Sequence, residues 1–359
     1  MSLIEELKKN STIKLTEILE DSKLFNKLDM ISTSVPALNV ALSGKLDGGF
    51  SPGLTLWCGP SKHFKTSFSL IMAKAYLDKF KDAVLIFYDS EFGSPSDYFK
   101  SFGIDSSRVL HVPITNVEEL KFDITKQLEA IKRTDNVIIV IDSIGNLASL
   151  KEMEDAKDGK SVADMTRAKS IKSLFRIITP SLVLKNIPVV AVNHVYQTNE
   201  LFSKTIVSGG TGIYLSSSNI FIIGRQQEKD GTDIIGYNFI INVEKSRYTR
   251  EKSKIPICVS YDGGISKWSG LIEMAQESGH VIKPSNGWYS RMDKDGVIES
   301  KKWRLKETNT KEFWGMILTN PSFHSWVESN YKLTAIDMMN FDDEKILEDF
   351  DAISTDIVI

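Results

Sequence analysis

Gly59-Pro-Ser-Lys-His-Phe-Lys65-Thr66 is the stretch whose reading decides the fold. It follows a strand-like run, Leu54-Thr-Leu-Trp-Cys58, and opens a helix-like run from Ser67 to Phe80. Strand, loop and helix in that order form the setting of a phosphate-binding loop. Backbone N–H groups at a helix N-terminus point at a polyphosphate, and the helix dipole favours its negative charge. The backbone of Gly59, Pro60, Ser61, Lys62, His63 and Phe64 would cradle the phosphates. Lys65 would reach the β- and γ-phosphates, the Thr66 hydroxyl would sit on Mg²⁺, and Ser67 would bind the nucleotide beside them. One position departs from the usual pattern: Phe64 stands where a second glycine is common.

Outward from that loop, strands and helices alternate. Ala83–Asp89, Val137–Asp142 and Ile187–Asn193 are near-continuous apolar runs, as in parallel strands buried on both faces. Val117–Lys132 and Val162–Leu184 carry helical periodicity, and Asn219–Gly224 and Gly236–Glu244 read as further strands. The pattern predicts an α/β protein built on a mostly parallel central sheet. Residues 1–30, with Leu3, Ile4 and Leu7 and then Leu15, Ile18 and Leu19 at helical spacing, read as an N-terminal assembly arm of short amphipathic helices. The core would span 31–270, a small tryptophan-bearing C-terminal domain 271–340, and an acidic tail 341–359.

With 359 residues, 42% hydrophobic and 25% charged, the composition is that of an ordinary globular protein. A net charge of −3 means that any surface for nucleic acid is local. The two cysteines, Cys58 and Cys258, lie in strand-like runs and read as buried reduced thiols. The five histidines show no metal-ligand spacing. The N-terminus lacks the apolar stretch of a signal peptide, and no run is long enough to span a membrane.

Three strand ends carry candidate chemistry. Asp142 could support Mg²⁺ through water; the alternative is a helix cap or surface carboxylate. Asp89 and Glu91 both follow a buried strand, and either could activate a water near a γ-phosphate; Glu91 is the preferred base. His194 would report on that phosphate, and is equally well read as structural.

Five pieces together resemble the RecA-type strand-exchange recombinases, and within them the branch found in T4-like phages. They are the loop at 59–66, Phe87-Tyr-Asp-Ser-Glu-Phe-Gly93, Ile141-Asp-Ser-Ile-Gly-Asn-Leu147, Asp164-Met-Thr-Arg-Ala-Lys169 and Ser208-Gly-Gly-Thr211. The resemblance covers roughly residues 30–290 and implies a RecA-like ATPase core. Phe64 is similar to the phage branch. Carried over by position, Lys65 and Thr66 match phosphate and Mg²⁺ ligands, Asp142 the acid that supports the metal, Glu91 the base, and Tyr98 an aromatic that stacks on adenine. His194 falls where bacterial relatives carry a glutamine sensor. Lys245 and Arg247 match cations that reach the γ-phosphate of an adjacent protomer; without the resemblance they read as a charged strand end.

The segments 151–160 and 196–210 match two mobile DNA-binding loops. Arg167 matches an arginine on the DNA backbone; Lys169, Lys172 and Arg176 share one helical stripe. Phe202 would stack on bases or anchor the loop, with Lys204, Gly209 and Gly210 beside it. The implied function is ATP-dependent pairing and exchange of homologous DNA by a filament on single-stranded DNA. The implied cofactors are ATP and Mg²⁺, and the implied partners single-stranded DNA, homologous duplex, a mediator and a single-stranded-DNA-binding protein, in the cytoplasm of an infected bacterial host. Other readings of the same core are a ring motor such as a replicative helicase, a small-molecule kinase, and a non-hydrolysing paralogue.

Overall fold

Long aliphatic runs that no polar residue interrupts can be buried on both faces, and a strand buried on both faces lies inside a layered α/β sheet. The computed structural model of the protein describes residues 2–22, 30–159, 165–198, 205–293 and 296–333. Helices α1 (Leu3–Asn10) and α2 (Pro36–Ser43) lead to β1 (Gly53–Cys58) and α3 (Lys65–Lys79). There follow β2 (Val84–Asp89), α4 (Ser96–Ser101), β3 (Val109–Pro113), α5 (Val117–Ala130) and β4 (Val137–Asp142). Next come α6 (Leu150–Lys157), α7 (Thr166–Leu184), β5 (Pro188–Asn193), a small hairpin of β6 (Val195–Gln197) and β7 (Thr205–Val207), and α8 (Thr211–Ser216). A wing of long strands, β8 (Asn219–Asp230), β9 (Asp233–Lys245), β10 (Lys254–Ser260) and β11 (Gly264–Ile265), completes the main sheet. The C-terminal lobe holds α9 (Leu271–Glu277), β12 (Val281–Ser285), β13 (Trp288–Arg291), β14 (Trp303–Arg304), α10 (Lys311–Leu318) and α11 (Pro321–Tyr331).

The nine strands of the main sheet run in the order β11-β10-β9-β8-β1-β5-β4-β2-β3. From β8 to β3 all neighbours are parallel, and β9, β10 and β11 add an antiparallel wing. The sheet separates two apolar cores by strict alternation. Trp57, Leu85, Phe87, Ile138 and Val140 face the core under α3, whereas Leu56, Ile86, Tyr88, Ile139 and Ile141 face the core under α5 and α7. The buried residues of the C-terminal lobe, among them Leu271, Trp314 and Phe323, are continuous with the first core.

Local chemistry explains where expectation and structure part. The arm keeps α1, with Leu3, Ile4 and Leu7 exposed, but no α-helix forms over Leu15, Ile18 and Leu19, where a single 3₁₀ turn spans Leu19–Asp21. Ser11 Oγ accepts the N–H of Ile13 and pairs with the Thr16 hydroxyl at 2.6 Å, side-chain bonds that compete with a helix there. The segment expected as a mobile loop at 151–160 is mostly α6. Ser149 accepts from Glu152 N at 3.1 Å and Glu152 returns a bond to Ser149 N, a capping box that starts the helix. Described helix α7 begins at Thr166, later than the expected Val162, which lies outside the described residues along with Lys160, Phe202, Lys204 and the tail at 341–359. Both cysteines are free thiols, Cys58 buried but Cys258 only half-buried.

Trp57 lies between Phe68 and Phe221, with ring centroids 5.0 and 4.6 Å away. Trp57→Ala would leave a cavity at the centre of the sheet and is expected to lower stability by about 3–5 kcal/mol, read by denaturant titration.

Candidate active site

Parallel register gathers the site. Cys58 lies opposite Asn193, and Asp89 opposite Asp142, so β1, β5, β4 and β2 release their chains into one crevice at their carboxyl ends. A cavity of about 770 Å³ opens there, large enough for a nucleotide. Ser61, Lys62, His63, Phe64, Lys65, Thr66, Ser67, Glu91, Tyr98 and His194 all line it.

The loop at 59–66 turns into α3 through Phe64, whose φ of 61° and ψ of 16° are left-handed. A side chain there is strained by roughly 1–3 kcal/mol, which neighbouring packing must offset. The Phe64 ring stacks on Phe239 of β9 at 4.9 Å and meets Phe68 edge-on at 5.3 Å. Phe64 thus takes the backbone conformation that a glycine adopts freely, and the aromatic contacts hold it. Lys62 is left-handed too, and its carbonyl accepts from Arg225 Nη1 at 3.2 Å.

Lys65 is buried at the start of α3, and its Nζ donates to the Pro60 carbonyl at 2.7 Å. Desolvation holds its pKa below the usual lysine range, while Glu91 and Asp142 oppose the shift. The Thr66 hydroxyl donates to Asp142 Oδ2 at 2.7 Å. The other oxygen, Oδ1, is buried without a hydrogen-bond partner among the described residues. Burial pushes the Asp142 carboxyl up to about 6, against the lowering effect of Thr66. An orphaned carboxylate oxygen beside a hydroxyl is an all-oxygen donor set that suits Mg²⁺, a cation that keeps several waters and needs few protein ligands.

Asp89 and Glu91 have different surroundings. Asp89 is buried; its Oδ1 accepts the backbone N–H of Glu91 at 3.0 Å and of Phe92 at 2.7 Å, and its Oδ2 faces His111 Nε2 at 3.1 Å. It shapes the turn. The Glu91 carboxylate lines the cavity, accepting from Ser143 Oγ at 2.8 Å with His194 Nε2 at 3.6 Å from Oε1. The His194 imidazole, and secondarily Ser143, hold the Glu91 carboxyl below the usual range against desolvation. Tyr98 Oη pairs with Ser67 Oγ at 2.8 Å, and its ring meets Phe102 edge-on. Phe102, Val259, Gly263, Gly264 and Ile265 form cavity walls that sequence reading missed. The last four arrive from β10, the turn after it and β11, far along the chain, where no local pattern marks them.

Lys245 and Arg247 lie elsewhere. Strand β9 runs antiparallel to β8, and Lys245 pairs with Ile220 while Asn219 pairs with Thr55. The two cations therefore sit at the rim where β1 begins, opposite the phosphate loop. Lys245 Nζ donates to the Tyr214 carbonyl at 2.8 Å, and Arg247 is exposed.

On α7, Lys169, Lys172 and Arg176 are exposed on one stripe. Gly209 and Gly210 have φ of 94° and 77° and bring α8 against α7, so closely that a Cβ on Gly212 would lie 2.5 Å from Lys172. Arg167 points inward instead: Nε donates to Leu147 O at 2.5 Å, and Nη2 to Ile144 O at 3.0 Å and Gly145 O at 2.9 Å.

Two family models cover most of the chain: the RecA N-terminal domain matches residues 2–266, and the C-terminal domain of the bacteriophage T4 recombination and repair protein matches residues 268–327. The recombination and repair protein of Enterobacteria phage T4 is 50% identical over 340 residues, covering 93% of this chain and 87% of that protein. Protein RecA of Nocardioides sp. is 26% identical over 73% of each chain. Among solved structures, the RadB recombinase is similar with a TM-score of 0.48 at 20% identity, over 66% of this chain and 98% of that one. With half of its residues shared with the phage T4 protein over nearly its whole length, this chain belongs to the RecA family of recombinases, which are DNA-dependent ATPases.

Proposed function

We propose that this recombinase binds ATP with Mg²⁺ in the 770 Å³ cavity and hydrolyses it with Glu91 as base, using the energy of binding to hold a filament on single-stranded DNA while a homologous duplex is paired and exchanged. The observation that carries this reading is the meeting of Lys65, Thr66, Asp142, Glu91 and His194 at the carboxyl ends of adjacent parallel strands.

The backbone of Gly59 to Phe64 surrounds the phosphates, and Lys65 neutralises the charge that develops on the γ-phosphate. Tyr98 and Phe102 present aromatic surface to the base. Thr66 and Asp142 would hold Mg²⁺, which supplies charge neutralisation between the phosphates when bound. Glu91, already ionised at neutral pH beside His194, orients a water and accepts its proton. Lys245 and Arg247 stand at the opposite strand ends from the cavity of their own chain, with the length of β1 and β8 between. In a head-to-tail array they would reach the next copy's phosphates, and such an interface gives an open filament. Lys169, Lys172 and Arg176 contact DNA phosphates, which position a strand without reading its sequence. A mediator and a single-stranded-DNA-binding protein complete the expected partners, in the bacterial host of the related phage.

ATP hydrolysis is expected to rise when single-stranded DNA is added, and Lys65→Ala to lower the stimulated rate by about 100-fold or more. A rate indifferent to DNA sinks the reading. Mixing Lys65→Ala with the double variant Lys245→Ala/Arg247→Ala, each inactive alone, should restore about a quarter of the wild-type rate, since one interface in four then pairs an intact cavity with intact cations. Cations acting within one chain would leave the mixture as slow as its components.

Asp142 sets a pH dependence. The folded state holds a proton more tightly than the unfolded chain, from an ordinary 3.8 to about 6. Stability is therefore lost as pH rises across that window, on the order of 3 kcal/mol in full, and the loss persists above it. Asp142→Asn should unfold at higher denaturant than wild type at pH 8. Affinity for Mg²⁺–nucleotide, which needs the carboxylate, should fall as pH drops through about 6 in the wild type and not in Asp142→Asn, measured by equilibrium binding of a fluorescent nucleotide.

A further inference from the structure

The segment just after β4 physically links two sites. Its second residue, Ile144, donates its N–H to Val192 O at 2.9 Å, next to the end of β5 that carries His194. Its third residue, Gly145, packs against the His194 ring: a Cβ there would be 2.1 Å from Cδ2 and 3.0 Å from Cγ. Gly145 is not among the residues with positive φ, so its backbone would accept alanine; only the missing side chain matters. The carbonyls of Ile144, Gly145 and Leu147 all accept from the guanidinium of Arg167, in the first turn of α7. Two residues further along α7, Lys169 begins the exposed basic stripe. His194 in turn stands 3.6 Å from Glu91.

We propose that Gly145 and Arg167 are positioning residues that set the His194 ring against Glu91, so that displacement of α7 by bound DNA changes the placement of the hydrolytic carboxylate's partner. The proposal rests on the functional reading above and adds to it the physical link between the two sites. Arg167 has the shape for this work: a planar fork spans three carbonyls at fixed angles, which a lysine cannot do. A helix transmits motion of its first turn as a rigid body, and the three bonds carry it to the segment under the imidazole. Displacements of about 1 Å near a reacting group can change rates by about 100-fold, and coupling between sites commonly amounts to about 5–150-fold. Arg167 thereby takes a role different from direct contact with the DNA backbone.

The test is a double-mutant cycle on the full-length protein, with ATP hydrolysis followed with and without a poly-dT oligonucleotide. Gly145→Ala is expected to lower the DNA-stimulated kcat by about 10-fold or more, with KM for ATP and Kd for the oligonucleotide changed less than about 3-fold. In a His194→Ala background, where the ring is gone, the same substitution should change kcat less than about 2-fold. Arg167→Lys should likewise reduce stimulation while oligonucleotide affinity and its salt dependence hold. Additive effects of Gly145→Ala and His194→Ala overturn the proposal, as does a Gly145→Ala protein that hydrolyses ATP like wild type. A change confined to oligonucleotide Kd and its salt slope in Arg167→Lys also overturns it, in favour of a direct phosphate contact. If thermal melting shows that Gly145→Ala does not fold, the cycle of Arg167→Lys with His194→Ala decides by the same criterion. A wild-type rate indifferent to DNA overturns the functional reading and the link together, whereas a stimulated wild type with additive variants overturns the link alone.

Discussion

Everything chemical in this protein depends on the hydrogen-bond register of four parallel strands. With Cys58 opposite Asn193 and Asp89 opposite Asp142, the residues Asp142, Glu91 and His194 must meet at or within two positions of their strand ends, beside the loop that leaves β1. A slip of one residue in any pair would turn alternate side chains to the other face of the sheet, where Trp57 and Leu56 belong to different cores. The two-core alternation therefore enforces the geometry of the cavity, and burial of aliphatic side chains does positional work far from itself.

The phosphate loop shows how a departure from a common pattern can be absorbed. A phenylalanine in the left-handed region carries strain, yet its ring stacks on Phe239 and touches Phe68. Glycine at this position would remove the strain and the contacts together. The loop is consequently tied to the antiparallel wing, a connection that glycine could not make.

The fold was legible because its central strands are aliphatic runs with few other interpretations: the expected strands ending at Asp89, Asp142 and Asn193 end there in the structure. The loop at 59–66 and the acid at 142 were legible for the same local reason, a motif beside a strand. What was not legible had no local signature. The cavity walls at Val259 and Gly263–Ile265 come from distant sequence, His111 meets Asp89 only through strand pairing, and the His194 ring fills the place where a side chain on Gly145 would stand. One miss was avoidable: Ser149 with Glu152 three residues later is a helix-start signal, and the segment was expected to be a loop. The inward turn of Arg167 could not be read at all, since a spacing argument places a side chain on a helix face without saying which acceptors lie nearby.

Strand β9 has a property beyond closing the sheet. Phe239 near its middle holds the phosphate loop through Phe64, and Lys245 at its end stands on the far rim. Six residues of extended chain measure about 20 Å, and the pairing shifts register near the far end, between Val243 and Lys245. One strand thus ties the near pocket to the far rim. In a row of copies joined through that rim, this strand would supply one of the lengths that separate each pocket from the next.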